Sequence, residues 1–143
     1  VEGEKDQARF GAEIDLDAEV WIERLYGDDL AEAARAARWL GRFGGPAGLD
    51  PLLDALSHRA GQVRAAALLA LADLGDPRAV QPIATRLAQD DSSMAREAAA
   101  QALGRLGGAA AEHALQAALA DPKAKVRRAA AASLAQRQAR LNR

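Results

Sequence analysis

The sequence predicts an all-α fold, a right-handed solenoid of about four stacked two-helix repeats. Three observations lead there. Of 143 residues, 38 are Ala and 19 are Leu, while aromatic residues make up 3%; Ala and Leu are the strongest helix formers among apolar side chains. Several residue types also keep one register. Leu25, Leu56, Leu87 and Leu119 lie 31, 31 and 32 residues apart, and Leu40, Leu71, Leu103 and Leu134 lie 31, 32 and 31 apart. Gly44, Gly75 and Gly107 follow the same period, as do Arg64, Arg96 and Arg127. Finally, Val63, Ala66, Ala67, Ala70, Leu71 and Leu74 form one helical stripe, which Ala95, Ala98, Ala99, Ala102, Leu103 and Leu106 repeat.

Each unit reads as a shorter helix followed by a longer one. The shorter helices fall near residues 17–26, 47–56, 79–88 and 110–120, and the longer ones near 30–43, 62–74, 93–106 and 124–137. Gly44, Gly75 and Gly107 stand just past the last apolar residue of a longer helix, where a left-handed cap costs glycine nothing. Asp76-Pro77 and Asp121-Pro122 are turn pairs in which the Asp can accept nearby backbone N–H groups and the Pro fixes φ. In the third unit Asp90, Asp91, Ser92 and Ser93 supply N-cap candidates. The many alanines on the longer helices imply that neighbouring helices approach closely. At the ends the pattern changes: Trp39 and Phe43 replace the Ala and Leu types of the second unit, and the last unit runs Ser133-Leu134-Ala135-Gln136-Arg137 into a polar tail. Both read as caps, with Trp21 and Tyr26 joining Trp39 in the first.

Composition narrows the chemistry. Without Cys there is no disulfide framework, no Cys-ligated zinc and no thiolate nucleophile. His58 and His113 are the only imidazoles, on expected polar surfaces with no common face, so neither a catalytic metal nor a His-based triad is expected, and no cofactor. The formal net charge of −1 hides an asymmetry. Residues 1–30 carry ten acids and three bases, and residues 121–143 one acid and seven bases. No apolar run reaches the length of a membrane span, and the first residues lack the pattern of a signal peptide, so the expected location is cytoplasmic. Residues 1–16 read as an acidic, flexible segment with Phe10, Ile14 and Leu16 as anchors of any docked form. Residues 17–137 read as the repeat domain and 138–143 as a basic tail.

The strings Val63-Arg64-Ala-Ala-Ala-Leu-Leu-Ala-Leu-Ala-Asp-Leu-Gly75-Asp76-Pro77-Arg78-Ala79-Val80 and Arg96-Glu-Ala-Ala-Ala-Gln-Ala-Leu-Gly-Arg-Leu-Gly107 resemble the HEAT-like repeat named after phycobilin lyase subunits. The resemblance covers residues 17–137. It implies that Arg64, Arg96 and Arg127 are structural, pairing across repeats with loop acids such as Asp76, Asp90, Asp91 or Asp121. It also implies that the longer helices line a concave face. The ligand-facing positions of that face map onto Ala34, Arg38 and Arg42 in the first unit and onto Gln62, Ala65, Leu69 and Asp73 in the second. Met94, Glu97, Gln101 and Arg105 follow in the third, and Lys125, Arg128, Ala132 and Gln136 in the fourth. Such a mixed surface, with Leu69 and Met94 as apolar anchors, suits a protein better than a deep small-molecule pocket.

The expected function is therefore a non-catalytic protein-interaction module, a monomer that binds another protein through its concave face. By resemblance it is an accessory or maturation factor for a cofactor-bearing enzyme. The alternative is nucleic-acid binding through Lys123, Lys125, Arg127, Arg128, Arg137, Arg140 and Arg143, a reading disfavoured because that segment has no aromatic residue for base stacking.

Overall fold

The structure, a computed structural model, describes residues 18–143. The acidic segment read over residues 1–16, with Phe10, Ile14 and Leu16, lies outside the described residues. Among those described there are eight helices and no strand. They are α1 (residues 18–25), α2 (Leu30–Phe43), α3 (Leu49–Ala55), α4 (Gly61–Leu74), α5 (Val80–Gln89), α6 (Ser93–Leu106), α7 (Ala109–Ala118) and α8 (Ala124–Leu141). The longer helices α2, α4, α6 and α8 pack side by side in chain order, each also held by the shorter helix before it. The expected repeat is thus present in all four units. The last helix, expected to end at residue 137, continues to Leu141.

Local chemistry starts and stops these helices. Asp29 caps α2 by accepting the Glu32 N–H, and Ser92 caps α6 by accepting that of Ala95. Asp76 and Asp121 make the anticipated turns, accepting the N–H groups of Arg78 and Lys123 at 2.9 Å. Gly75 ends α4 in the left-handed region at φ 76°. Gly44 departs from expectation, since its φ is −76° and the left-handed residue is the next one, Gly45, at 55°. Glycine is required at 44 by space, because a Cβ there would lie 2.7 Å from the Leu40 carbonyl oxygen.

The core is a continuous seam. Leu25, Leu40, Leu52, Leu68, Leu71, Ile83, Leu103 and Leu115 are fully buried, with Val63 and Val126. Two leucines of the register depart from full burial, Leu134, which is half-buried, and Leu119, at 41% exposure. Leu56 also stands one residue past its helix yet is buried, so helix length is not the cause at Leu119; among the described residues no shorter helix follows α7, and nothing stands beyond it to cover that side chain. Tyr26, anticipated in the cap, also stands outside. Its ring is exposed and its hydroxyl donates to Asp54 Oδ2 at 2.8 Å, tying the end of α1 to α3. Burial of that hydroxyl, followed by its bond to the Asp54 carboxylate, pushes the Tyr26 pKa up to about 12.

The recurrent arginines form a ladder. Arg64 donates from Nε and Nη2 to the two oxygens of Asp90, both at 2.9 Å, and from Nη2 to Asp91 at 2.8 Å. Its Nη1 serves the carbonyls of His58 and Arg59. One unit on, Arg96 grips Asp121 at 2.9 and 3.3 Å and donates to the Asp90 carbonyl at 2.8 Å. Arg127 keeps the carbonyl half of the pattern, donating to Asp121 and Pro122, and among the described residues it meets no carboxylate. Asp76 stays out of the ladder and pairs with Arg78. The Asp90 side chain is fully buried and Arg64 is 10% exposed, so this fork fixes the loop of one repeat on the helix of the previous one.

Two predictions follow from this packing. Leu71→Ala and Leu103→Ala should each cost about 2–5 kcal/mol in urea denaturation, because each empties a fully buried site; a loss below about 1 kcal/mol for both would contradict the register.

Acidification should also destabilise the protein in two stages. Burial, then the charges of Arg59 and Arg64, hold the His58 pKa below its ordinary 6.5, so the unfolded chain takes up that proton first and stability falls below pH 6.5. For Asp90 and Asp121 burial alone would raise the pKa, but the arginine forks and the N–H groups of Ser92 and Lys123 outweigh it and hold both below 3.8. Their contribution is present above pH 3.8 and is lost as pH falls through the depressed folded values. Urea midpoints should show the first stage in the native chain and not in His58→Asn, whose side-chain oxygen can still accept the Ala60 N–H. A midpoint that rises between pH 6.5 and 5 would contradict the sign.

Candidate functional site

The inner helices build one large hollow. Side chains three and four residues apart share a helix face, so each of α2, α4 and α6 projects a short row toward the same side. Together they line a concave cavity of about 920 Å3. Its floor is alanine, with Ala34, Ala65, Ala66, Ala70 and Ala98 all buried. Arg38 and Arg42 rise from α2, Gln62, Leu69 and Asp73 from α4, and Met94, Glu97, Gln101 and Arg105 from α6. Eleven of the fifteen positions singled out for the concave face therefore converge: Ala34, Arg38, Arg42, Gln62, Ala65, Leu69, Asp73, Met94, Glu97, Gln101 and Arg105. Lys125, Arg128, Ala132 and Gln136, on α8, do not line this cavity.

The structure adds Arg35, Trp39 and Phe43, which the sequence reading placed in the cap or passed over. They run four residues apart along α2. That spacing is the available signal, and the misplacement has a physical cause. Among the described residues α2 has an inner neighbour on one side only, so its outward face widens the hollow instead of packing on another helix. Trp39 does both jobs. Trp21 stacks on it with ring centroids 5.5 Å apart and planes inclined by 15°, and the Phe43 ring, tilted by 48°, lies 5.7 Å from it. Phe43 is 39% exposed and carries the Arg42 guanidinium 5.6 Å from its ring centroid.

Charge is unevenly distributed across the hollow. Asp73 is bonded by Arg105 across the α4–α6 seam. Arg35 pairs along its own helix with Glu32 at 3.4 Å. Among the described residues Arg38 and Arg42 meet no carboxylate within 4.0 Å, nor does Glu97 meet a cation. The result is a cationic α2 edge, a neutral centre around Leu69 and an acidic spot on α6, with Met94 43% exposed beside it. Among the described residues no Ser, Thr, His or Tyr lines the hollow. Among the described residues no three His, Asp or Glu side chains come together to hold a metal, and no helix is long and apolar enough to cross a membrane. A second hollow of about 520 Å3 opens between α5 and α7; six of its thirteen lining residues are alanine, and its Asp121 is taken by the Arg96 fork.

The comparisons agree with this architecture. No curated protein matches the sequence. Among solved structures the chain is similar to human deoxyhypusine hydroxylase in complex with glycerol, at 29% identity and a TM-score of 0.73. That similarity covers 83% of this chain and 42% of the hydroxylase, so the chain spans less than half of that protein's length. It is also similar to the complex of CpcE and CpcF of phycocyanin lyase from Nostoc sp. PCC7120, at 24% identity and a TM-score of 0.68, over 83% of this chain and 76% of that one. The likeness to phycobilin lyase subunits read from the Val-Arg, Ala-Leu-Gly and Gly-Asp-Pro-Arg-Ala-Val strings is thus matched in three dimensions. The HEAT repeat profile matches residues 18–104 and 84–140, and with four stacked helix pairs beneath it the chain belongs to the HEAT-repeat family.

Proposed function

We propose that the chain is a non-catalytic interaction module that holds a partner protein against its concave face, as an accessory or maturation factor for an enzyme or chromoprotein. The observation that carries this reading is the hollow itself. Three helices locked at fixed spacing present Arg38, Arg42 and Glu97, unpaired among the described residues, around exposed Phe43 and Met94, over a floor of buried alanine. Apolar anchors inside a polar, arginine-rich rim are the usual composition of a protein-binding surface. The lyase neighbour supports the reading because it was solved as a complex of two named proteins. Fold likeness to the hydroxylase does not transfer its chemistry, since function belongs to sites and not to repeats.

The test compares the intact chain with two surface variants in extract from the source cell, using cross-linking and mass spectrometry. Leu69→Glu with Arg38→Glu should lose the cross-linked protein, while Lys125→Glu with Arg128→Glu on α8 should keep it. Arg38 and Arg128 are exposed while Leu69 and Lys125 are half-buried, so a thermal melt of each variant checks that the fold survives, and the expected melting points lie close enough to the native one for both to be folded in the assay. Loss of the partner only from the α8 variant, or recovery of nucleic acid alone that vanishes at high salt, would overturn the concave-face reading in favour of the basic end.

A further inference from the structure

Within the concave hollow, steric and electrostatic features point to one side. Ala34 and Ala65 occupy equivalent positions on neighbouring inner helices, and both are nearly fully buried, leaving a depression between taller side chains. Its walls are Trp39 and Arg38 on α2 and Leu69 on α4. Adjacent packed helices lie about 8–10 Å apart, so the depression has the width of one large apolar side chain. Arg38 and Arg42 are one helical turn apart on the same edge, exposed, and without a carboxylate among the described residues. Across the depression Asp73 is neutralised by Arg105, while Glu97 remains open.

We infer that this hollow receives an acidic amphipathic helix of the partner protein. The inference rests on the binding reading above and names the chemistry of its ligand. One large apolar side chain fills the depression over Ala34 and Ala65. Two carboxylates one turn apart reach Arg38 and Arg42, and the opposite edge of the helix, facing Glu97, is neutral or basic. The pitch of the arginines matches that of the carboxylates because both are set by the i,i+4 rise of a helix. A basic helix would meet two unpaired arginines. A nucleic-acid strand would bring its phosphates onto Glu97 and Asp73 and would leave the alanine floor uncovered.

The experiment uses the full chain and synthetic helix-forming peptides of about 18 residues, long enough for five turns. One peptide carries two glutamates one turn apart beside a leucine and phenylalanine stripe; the control has lysines in place of the glutamates. A single-stranded oligonucleotide is the third probe. The chain has two Trp residues, and Trp21 stacks on Trp39 at the hollow's wall, so tryptophan emission reports occupancy. The acidic peptide should bind and the lysine peptide should bind at least tenfold more weakly. In Arg38→Glu with Arg42→Glu that order should reverse, a rescue that misfolding cannot imitate. Equal binding of both peptides, or preference for the oligonucleotide, would overturn the inference. So would a tenfold gain in peptide affinity in Phe10→Ala with Ile14→Ala, because it would identify the occupant as the chain's own acidic segment of residues 1–16. If no peptide binds while the cross-linked partner is still lost on changing Leu69, the helix assignment fails and the concave site stands.

Discussion

Close approach between inner helices is the constraint on which the rest of this structure depends. A Cβ added to Gly41 of α2 would lie 2.6 Å from the Cα and the carbonyl oxygen of Ala70 on α4. At the other end of the stack Gly104 of α6 lies against Ser133 of α8, whose hydroxyl donates to the Ala100 carbonyl at 3.0 Å. Backbones this near favour the smallest side chains, Gly, Ala and Ser, on the facing sides, which accounts for the alanines buried along α2, α4 and α6. The same spacing sets the pitch of the hollow, because its floor is the set of small side chains through which the helices meet. Fold and site therefore share one cause.

Small side chains bring helices together without fixing their register, and the arginine ladder supplies what they lack. Alanine seams are smooth, whereas the fork of Arg64 on Asp90 has two directed bonds and admits one relative position. Burying that pair carries a desolvation cost, which the carbonyls of His58 and Arg59 and the Ser92 N–H help to offset by filling the remaining bonds. The ladder lies in the loops, at the edge of the stack, and so leaves the concave face free for other residues. This division of labour lets the face vary while the spacing stays constant.

The repeat was legible because stacking imposes the same demand in every unit. Leu40, Leu71 and Leu103 occupy equivalent, fully buried positions, and a pattern repeated at one period can be read without coordinates. The misreadings occurred where that demand changes. Leu119 keeps the leucine register but lies at the end of the last shorter helix, where among the described residues no further unit follows to bury it. Gly44 serves close packing against Leu40 while Gly45 takes the left-handed turn, a distinction that two adjacent glycines conceal. At the site, aromatic size marks Trp39 and Phe43 as cap residues, and Trp39 does stack on Trp21; what size does not tell is that α2, with a single inner neighbour among the described residues, also shows both to the hollow. Lys125, Arg128 and Gln136 share the repeat position of the lining residues yet stand outside the cavity, since periodicity gives the face of a helix and not the extent of a concavity.

Replacing Gly41 by alanine tests the central claim most directly, because two physical effects there have opposite signs. Alanine is the better helix former by about 0.8–1.0 kcal/mol, so if local propensity governed α2 the substitution would stabilise the protein. Close packing against Ala70 predicts the reverse, a net loss of about 1–2 kcal/mol in urea denaturation, since the added methyl meets backbone that cannot move without opening the seam. An unchanged or increased stability would show that the inner helices are not held at the spacing from which both the fold and the concave site are derived.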